Sequence, residues 1–291
     1  MKITVIGGSG FLGSHVADQL SEAGHSVTIF DIKQSPWLRD DQQMIVGDIL
    51  DIVCLESAIA NANAVYHFAA LADLNDLVNK PVETVKVNVL GTVQILEICR
   101  KYEVKRFVYA STLYVYSREG GFYRCSKQAS EHYIEEYAKT YGLEYTILRF
   151  GSLFGPRSNE NNGLYRIVKN ALTTRTIKLD KVNAESIREY IHVEDAAKAS
   201  VAILRDEFIN ESIVLTGHEP MRVEDVMKML AEILGIPGNI DFPELINSKH
   251  YVRTPYAYQP KTGRKYTPEL RIDLGQGLLQ LINEIASEQP Q

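Results

Sequence analysis

Through the first half of the chain, short apolar runs alternate with segments whose apolar residues recur at helical spacing. Ile3–Ile6, Ser26–Phe30, Met44–Val46, Ala64–Phe68, Phe107–Ala110 and Tyr145–Leu148 read as buried strands. Leu12–Ala23, Cys54–Ala60, Val82–Tyr102 and Ser126–Tyr141 read as the helices between them. Strands buried on both faces, each followed by a helix, predict an α/β protein with a doubly wound parallel sheet.

After Leu148 the pattern loosens. Gly151, Gly155-Pro156 and residues 159–163 mark loops, and a helix is expected over 164–172. Strand-like Glu189–Val193 runs into a helix near 195–204, and Val223–Leu234 and Leu274–Ile285 read as further helices. Residues 240–268 are rich in proline, tyrosine and basic side chains and have no clear period. Neither a repeat nor a low-complexity linker interrupts the chain. A division at 1–150 and 151–291 is therefore expected, the smaller mixed region packed on the first and exchanging chain with it around 188–205.

Composition narrows the classes of function. The 291 residues carry a net charge of −6 and a pI near 5.7, which argues against a general nucleic-acid binder. No apolar run reaches the length of a membrane span, and Met1-Lys2 passes straight into strand-like Ile3–Ile6 without a leader pattern. Cys54, Cys99 and Cys125 lack metal-ligand spacing, and three cysteines suit a reducing compartment. No metal and no membrane are expected, and the cytoplasm is the expected location.

Gly7-Gly8-Ser9-Gly10-Phe11-Leu12-Gly13 lies between the first strand and the first helix. Glycines at 7, 10 and 13 allow a tight turn, close approach of backbone to a pyrophosphate, and close helix–strand contact. The helix start then offers free N–H groups to phosphate. Asp31, heading Asp31-Ile32-Lys33, ends the second strand, where an acid hydrogen-bonds the adenosine ribose and repels a 2′-phosphate. A Rossmann-type domain binding NAD is expected, with Lys33 the one feature that blurs the choice against NADP.

Tyr123 stands four residues before Lys127, which puts both on one face of a helix. An ammonium there is expected to lower the phenol from its ordinary pKa of ~10 toward neutrality, making it a usable base. Among 16 tyrosines the spacing recurs at Tyr165 and Lys169, which read as an ordinary pair on a helix surface. Only the first pair follows the glycine loop, several strands and Ser111-Thr112.

With Gly7–Gly13, Asp31, Thr112, Tyr123 and Lys127 assembled, the chain resembles the extended short-chain dehydrogenase/reductase family. The resemblance is to its nucleotide-sugar epimerase/dehydratase branch, which includes the UDP-glucose 4-epimerases. Gly47-Asp48-Ile49, His67-Phe68-Ala69-Ala70, Asn88–Thr92, Arg149 to Arg157, and Arg188–Asp195 extend it over residues 1 to 205. The resemblance implies that Asp48 and Ile49 contact adenine, that Phe68, Ala69 and Ala70 line the cofactor groove, and that Asn88 buttresses the site. It makes Tyr123 the acid/base, Lys127 its partner and the holder of the nicotinamide ribose, and Thr112 the hydrogen bonder of the reacting oxygen. Arg188 would grip a sugar nucleotide's diphosphate, with Arg253 as a second clamp and Ser152 in the place of a substrate-contacting asparagine. A homodimer through Val82–Tyr102 and Ser126–Tyr141 is also implied.

Two departures bear on the reaction. Leu113-Tyr114 stand where the 4,6-dehydratases of this family carry Asp-Glu, so the acid and base for eliminating water are missing. Tyr123 follows Thr112 by only eleven positions, about half the family's span, and Gly120-Gly121 suit the tight return this demands. Either the site is more open, or the C-terminal segment fills the gap. The resulting expectation is an NAD-dependent nucleotide-sugar epimerase, at C4, acting through a transient keto-sugar. A nucleotide-sugar 4-ketoreductase using NAD(P)H is the alternative, and a dinucleotide-binding sensor without turnover is a third.

Overall fold

Strand and helix succeed one another with few interruptions in the computed structural model, which describes residues 1–74, 76–179, 181–241, 243 and 251–256. The chain enters as β1 (Lys2–Ile6), turns into α1 (Phe11–Glu22) and returns as β2 (Ser26–Asp31). β3 (Gln42–Val46), α2 (Ile52–Ile59) and β4 (Ala64–His67) follow. One helical run then joins α3 (Pro81–Thr84), a π-helical stretch (Val85–Leu90) and α4 (Gly91–Lys101). β5 (Arg106–Thr112), α5 (Gly121–Tyr141) and β6 (Glu144–Phe150) complete the first half.

The second half is built of shorter pieces. In order they are β7 (Ser152–Phe154), α6 (Gly163–Thr174), β8 (Ile177–Lys178), α7 (Lys181–Ala184) and β9 (Ile187–His192). α8 (Val193–Ala202), β10 (Glu211–Leu215), β11 (Pro220–Arg222), α9 (Val223–Ile233) and β12 (Ile240–Asp241) come next.

Seven strands form a parallel sheet in the order β10-β6-β5-β4-β1-β2-β3. Its edge strand β10 comes from beyond residue 150 and pairs with β6 from Glu211–Thr146 to Leu215–Phe150. A smaller sheet, β11-β9-β7, is mixed, and β8 pairs with β12. Leu55, Ile95, Leu96, Ile134 and Ile147 fill the core on one face of the large sheet. Val16, Leu20, Val27, Ala196 and Ala197 fill it on the other. Burial on both faces is what the unbroken apolar strands required.

Local chemistry sets the element ends. Asp51 caps α2 by accepting from Cys54 N at 3.1 Å, and Asn162 caps α6 by accepting from Tyr165 N at 3.1 Å. Relative to the sequence reading, α5 starts five residues earlier, at Gly121, so Tyr123 and Lys127 share one continuous helix. β7, β8, β10, β11 and β12 are additions to that reading, and the expected helix over 274–285 lies outside the described residues. Among those residues no helix is long and apolar enough to cross a membrane.

Candidate active site

Parallel pairing brings the C-terminal ends of β1, β2, β4, β5 and β6 to one edge of the sheet, where ligands of such folds bind. The glycine loop sits at that edge. Gly7 has a φ of 83° and lies so close to the end of β4 that a Cβ would stand 2.4 Å from Ala69 N. A Cβ on Gly13 would stand 2.2 Å from Gly7 O. α1 opens at Gly10 with no side-chain cap and no acid in its first turn, and its hydrogen-bond ladder starts only with Ser14 N to Gly10 O, 3.0 Å. The amides of Phe11, Leu12 and Gly13 precede that ladder, so an uncapped, electropositive helix end faces the groove. This cradle fits a dinucleotide's pyrophosphate.

Asp31 accepts Ser9 N at 3.0 Å and Lys33 N at 3.2 Å, which fixes its carboxylate between the loop and the end of β2. Ile32 and Lys33 are exposed beside it. Phe68 N and Ala69 N both donate to Ile6 O, at 2.7 and 3.1 Å, holding Phe68, Ala69 and Ala70 along the groove. Asp48 is exposed and accepts from Leu50 N at 2.9 Å. The side chain of Ile49 is buried against Gly91, whose Cβ would meet Ile49 Cδ1 at 2.5 Å, which leaves its backbone to face the cofactor edge. The absence of a side chain at Gly91 leaves room in the core that Ile49 fills.

Asn88 lies in the π-helical stretch and is fully buried. Its side chain accepts from Leu71 N (2.8 Å) and donates to Leu71 O (2.9 Å) and Ser126 Oγ (2.9 Å). Its carbonyl accepts the hydroxyls of Thr92 and Ser130, at 2.7 and 2.9 Å. The loop after β4 and the helix carrying Lys127 are thus tied to one residue.

Thr112 ends β5, and Gly120 and Gly121, at φ 91° and 50°, turn the chain sharply into α5. Lys127 is 2% exposed; its ammonium donates to Ala110 O at 2.6 Å and lies 4.5 Å from the Tyr109 ring and 5.8 Å from that of Tyr123. Burial pulls its pKa down to about 7, opposed by Glu131. Tyr123 keeps some accessible surface, yet sits deep enough that burial pushes its phenol up to about 12, with Thr112 as a hydrogen-bond partner working the other way. The expected lowering by Lys127 is therefore not a property of the protein matrix. Loss of hydration sets the direction, and the ammonium's own hydrogen bond goes to Ala110 O.

Behind this group the side chains are polar and closely tied. Glu131 accepts from Arg149 Nε and Nη2, at 3.1 and 2.7 Å, and from the Ser111 hydroxyl. His67 Nε2 lies 3.0 Å from Thr92 Oγ1. Because that hydroxyl gives its proton to Asn88 O, the imidazole must donate through Nε2.

Arg188, on β9, is 8% exposed, and its Nη1 is buried with no hydrogen-bond partner among the described residues. Its guanidinium lies 4.3 Å over the ring of Tyr251. Arg253 is exposed, two residues past Tyr251, with its backbone bridged to Ile187. Ser152 heads β7 opposite Tyr190. Lys169 pairs with the exposed Glu160 and lies 6.0 Å from the Tyr165 ring. Tyr251 was not found in the sequence because its segment has no period. Glu131 could have been found, standing four residues beyond Lys127 on the same helix face.

The model of the NAD dependent epimerase/dehydratase family matches residues 3–215. A UDP-glucose 4-epimerase from Corynebacterium glutamicum is 29% identical over 269 residues, covering 81% of this chain and 82% of that protein. A dTDP-glucose 4,6-dehydratase from Mycolicibacterium smegmatis is 28% identical, covering 90% of this chain and 86% of the other. The crystal structure of a UDP-glucose 4-epimerase from Thermotoga maritima, solved with UDP-glucose, covers 99% of both chains at 24% identity and a TM-score of 0.81. The match over residues 3–215 takes in the glycine cradle, Asp31, and the Thr112, Tyr123 and Lys127 cluster, and by it the chain belongs to the NAD dependent epimerase/dehydratase family, an NAD-dependent enzyme of the extended short-chain dehydrogenase/reductase type.

Proposed function

We propose that the protein is an NAD-dependent nucleotide-sugar epimerase that inverts C4 by transient oxidation and re-reduction. The observation that carries this reading is the pairing of Thr112, Tyr123 and Lys127 at the strand ends with Arg188, a buried guanidinium whose Nη1 has no partner among the described residues. A planar donor fork of this kind suits a diphosphate oxyanion. Its counterpart is a substrate with a diphosphate at one end and a reacting hydroxyl at the other.

When bound, NAD accepts a hydride from the sugar carbon and returns it. The protein's part is proton traffic and positioning. Tyr123 takes the hydroxyl proton during oxidation and gives it back on reduction, and Thr112 holds the oxygen through both states. A phenol held at about 12 is a poor base on its own, so it depends on positive charge brought into the site. Lys127, drawn down to about 7 by burial, would add to that charge in its protonated form, and its proposed role is to hold the nicotinamide ribose. The aromatic Tyr114, in place of a carboxylate, offers nothing to eliminate water, which favours epimerisation over dehydration.

Release of stoichiometric NAD on denaturing the purified protein, with interconversion of a sugar nucleotide and its C4 epimer in the absence of added reductant, is the expected result. Turnover only with added NADH or NADPH would establish the 4-ketoreductase instead. Neither activity across a panel of sugar nucleotides would leave the non-catalytic dinucleotide binder. We place the nucleotide on residues 1–150 and the sugar on residues 151–291, with Ser152 and Arg253 flanking it. A homodimer in the cytoplasm completes the proposal, formed by the α3–α4 run and α5, where Val82, Val85, Leu90 and Tyr133 are exposed.

A further inference from the structure

Successive residues of β5 turn to opposite faces of the sheet. Phe107 and Tyr109 lie in the core that α5 covers, and Val108 and Ala110 belong to the core on the other face. Tyr109 is fully buried, and its ring is held from three directions. It stacks on Phe107 with centroids 6.3 Å apart and planes at 18°, meets the His67 ring at 5.5 Å, and turns its hydroxyl toward Ser130 and Thr92.

The Lys127 ammonium lies over the face of this ring, 4.5 Å from its centroid, while it donates to Ala110 O at 2.6 Å. Two consecutive residues of one strand thus receive the charge, the first through its ring and the second through its carbonyl. The carboxylate one helical turn beyond Lys127 is occupied elsewhere: Glu131 directs its oxygens to Arg149 and Ser111. Among the described residues, the titratable side chains around the ammonium are Tyr123 and Glu131 on α5, His67 on β4 and Tyr109 on β5. Enclosure, with the Lys127 charge adding to it, keeps His67 neutral. Burial pushes the Tyr109 phenol far above its ordinary value, so its ring meets the ammonium as a neutral π-face and not as an anion.

We propose that Tyr109 is a positioning residue for the reaction: its π-face keeps the buried Lys127 ammonium charged and fixed beside Tyr123. This rests on reading Lys127 as the charged partner of Tyr123. An aliphatic side chain at 109 would strip the ammonium of water and return nothing, and the amine would shed its proton. The face of an aromatic ring carries negative potential and replaces part of the lost hydration. It does so without a counter-ion. A carboxylate in the same place would pair with Lys127 and cancel its pull on the phenol.

The test is the titration of Lys127 in the NAD-loaded protein, followed by nuclear magnetic resonance of lysine isotope-labelled at Cε and assigned by the signal missing from Lys127→Met. It needs no turnover. Tyr109→Phe keeps the π-face and serves as the reference. Tyr109→trifluorophenylalanine has nearly the same shape with a ring drained of negative charge. It should lower the proton affinity of Lys127 roughly tenfold against that reference, a drop of roughly one pH unit in the midpoint. Tyr109→monofluorophenylalanine should fall between the two, and it replaces the trifluoro variant if that one is unfolded by near-ultraviolet circular dichroism. A midpoint that does not move with fluorination overturns the proposal, because packing alone is indifferent to the charge of the ring. Turnover of sugar nucleotides by the wild type separates the two readings. A midpoint that falls with fluorination in a protein without turnover keeps the role of Tyr109 and removes the epimerase, and an unmoved midpoint in an active enzyme does the reverse.

Discussion

Glu131 and Arg149 face one another beneath the end of β5, joined by hydrogen bonds of 3.1 and 2.7 Å. Glu131 also accepts from Ser111, the residue before Thr112, and follows Lys127 by one helical turn. Arg149 reaches on to the Tyr116 hydroxyl. The pair therefore sets the distance between the strand that ends in Thr112 and the helix that carries Tyr123 and Lys127. Glu131 is buried and Arg149 partly so, and removing one leaves the other's charge uncompensated. Glu131→Gln should cost roughly 3–5 kcal/mol in urea denaturation, and Glu131→Leu with Arg149→Met should recover most of it. A loss below about 1 kcal/mol would show a pair as weak as an exposed one.

Tyr123→Phe keeps the ring and its edge contact with Tyr114 while removing the hydroxyl. Turnover should fall by roughly two to four orders of magnitude, with NAD content and UDP affinity preserved. Steady-state kinetics with calorimetry on the same preparation checks both halves. Equal activity in the variant would assign the proton transfer elsewhere.

His67 gives the fold a defined acid sensitivity. Enclosure pulls its pKa down to about 3 from 6.5, with the Lys127 charge adding to the effect. Below pH 6.5 the unfolded chain binds a proton that the folded chain refuses until about pH 3, so stability is lost as pH falls through this window and is unaffected above it. Between neutrality and about pH 4.5 this one group should contribute roughly 2–3 kcal/mol of the decline. Urea denaturation at both pH values should show a shallower decline in His67→Asn than in wild type. Equal declines would mean that His67 charges within the folded protein.

Gly13→Ala should place a methyl group against Gly7 O and push α1 away from the loop. Loss of co-purified NAD is expected, with a destabilisation of roughly 1–3 kcal/mol. Gly163→Ala serves as the control, because a Cβ there meets nothing within 4 Å; it should stay within about 0.5 kcal/mol of wild type. NAD released on denaturation and the unfolding midpoint report the two effects separately.

The large sheet was legible because its central strands are apolar without interruption, a pattern that only burial on both faces explains. β10 is different: Glu211 is exposed, and the rest of the strand is half-buried at the sheet's edge, so its Ile213, Val214 and Leu215 resemble an ordinary loop-to-strand fragment. The glycine loop could be read because each glycine answers a backbone demand, as the contacts at Gly7 and Gly13 bear out. The reactive pair could be located but its electrostatics could not. Spacing puts Lys127 beside Tyr123, whereas the shift of the phenol depends on how many atoms enclose it, and that is set by residues distant in sequence. Ile49 was legible as a motif position, whereas the burial of its side chain depends on Gly91, some forty residues later. The ring contact of Tyr114 with Tyr251 reaches a segment without periodicity, so no local pattern announces it.

β10 also carries a consequence for biosynthesis. Until residue 215 has emerged, the sheet ends at β6, whose outer edge along Thr146–Phe150 has no strand beside it. A nascent chain halted near residue 150 would therefore display an open, apolar strand edge, the kind of surface that recruits chaperones or pairs with another chain. The sheet is completed only by a strand made after much of the smaller sheet has been synthesised, so more than two thirds of the protein must be translated before that edge is covered.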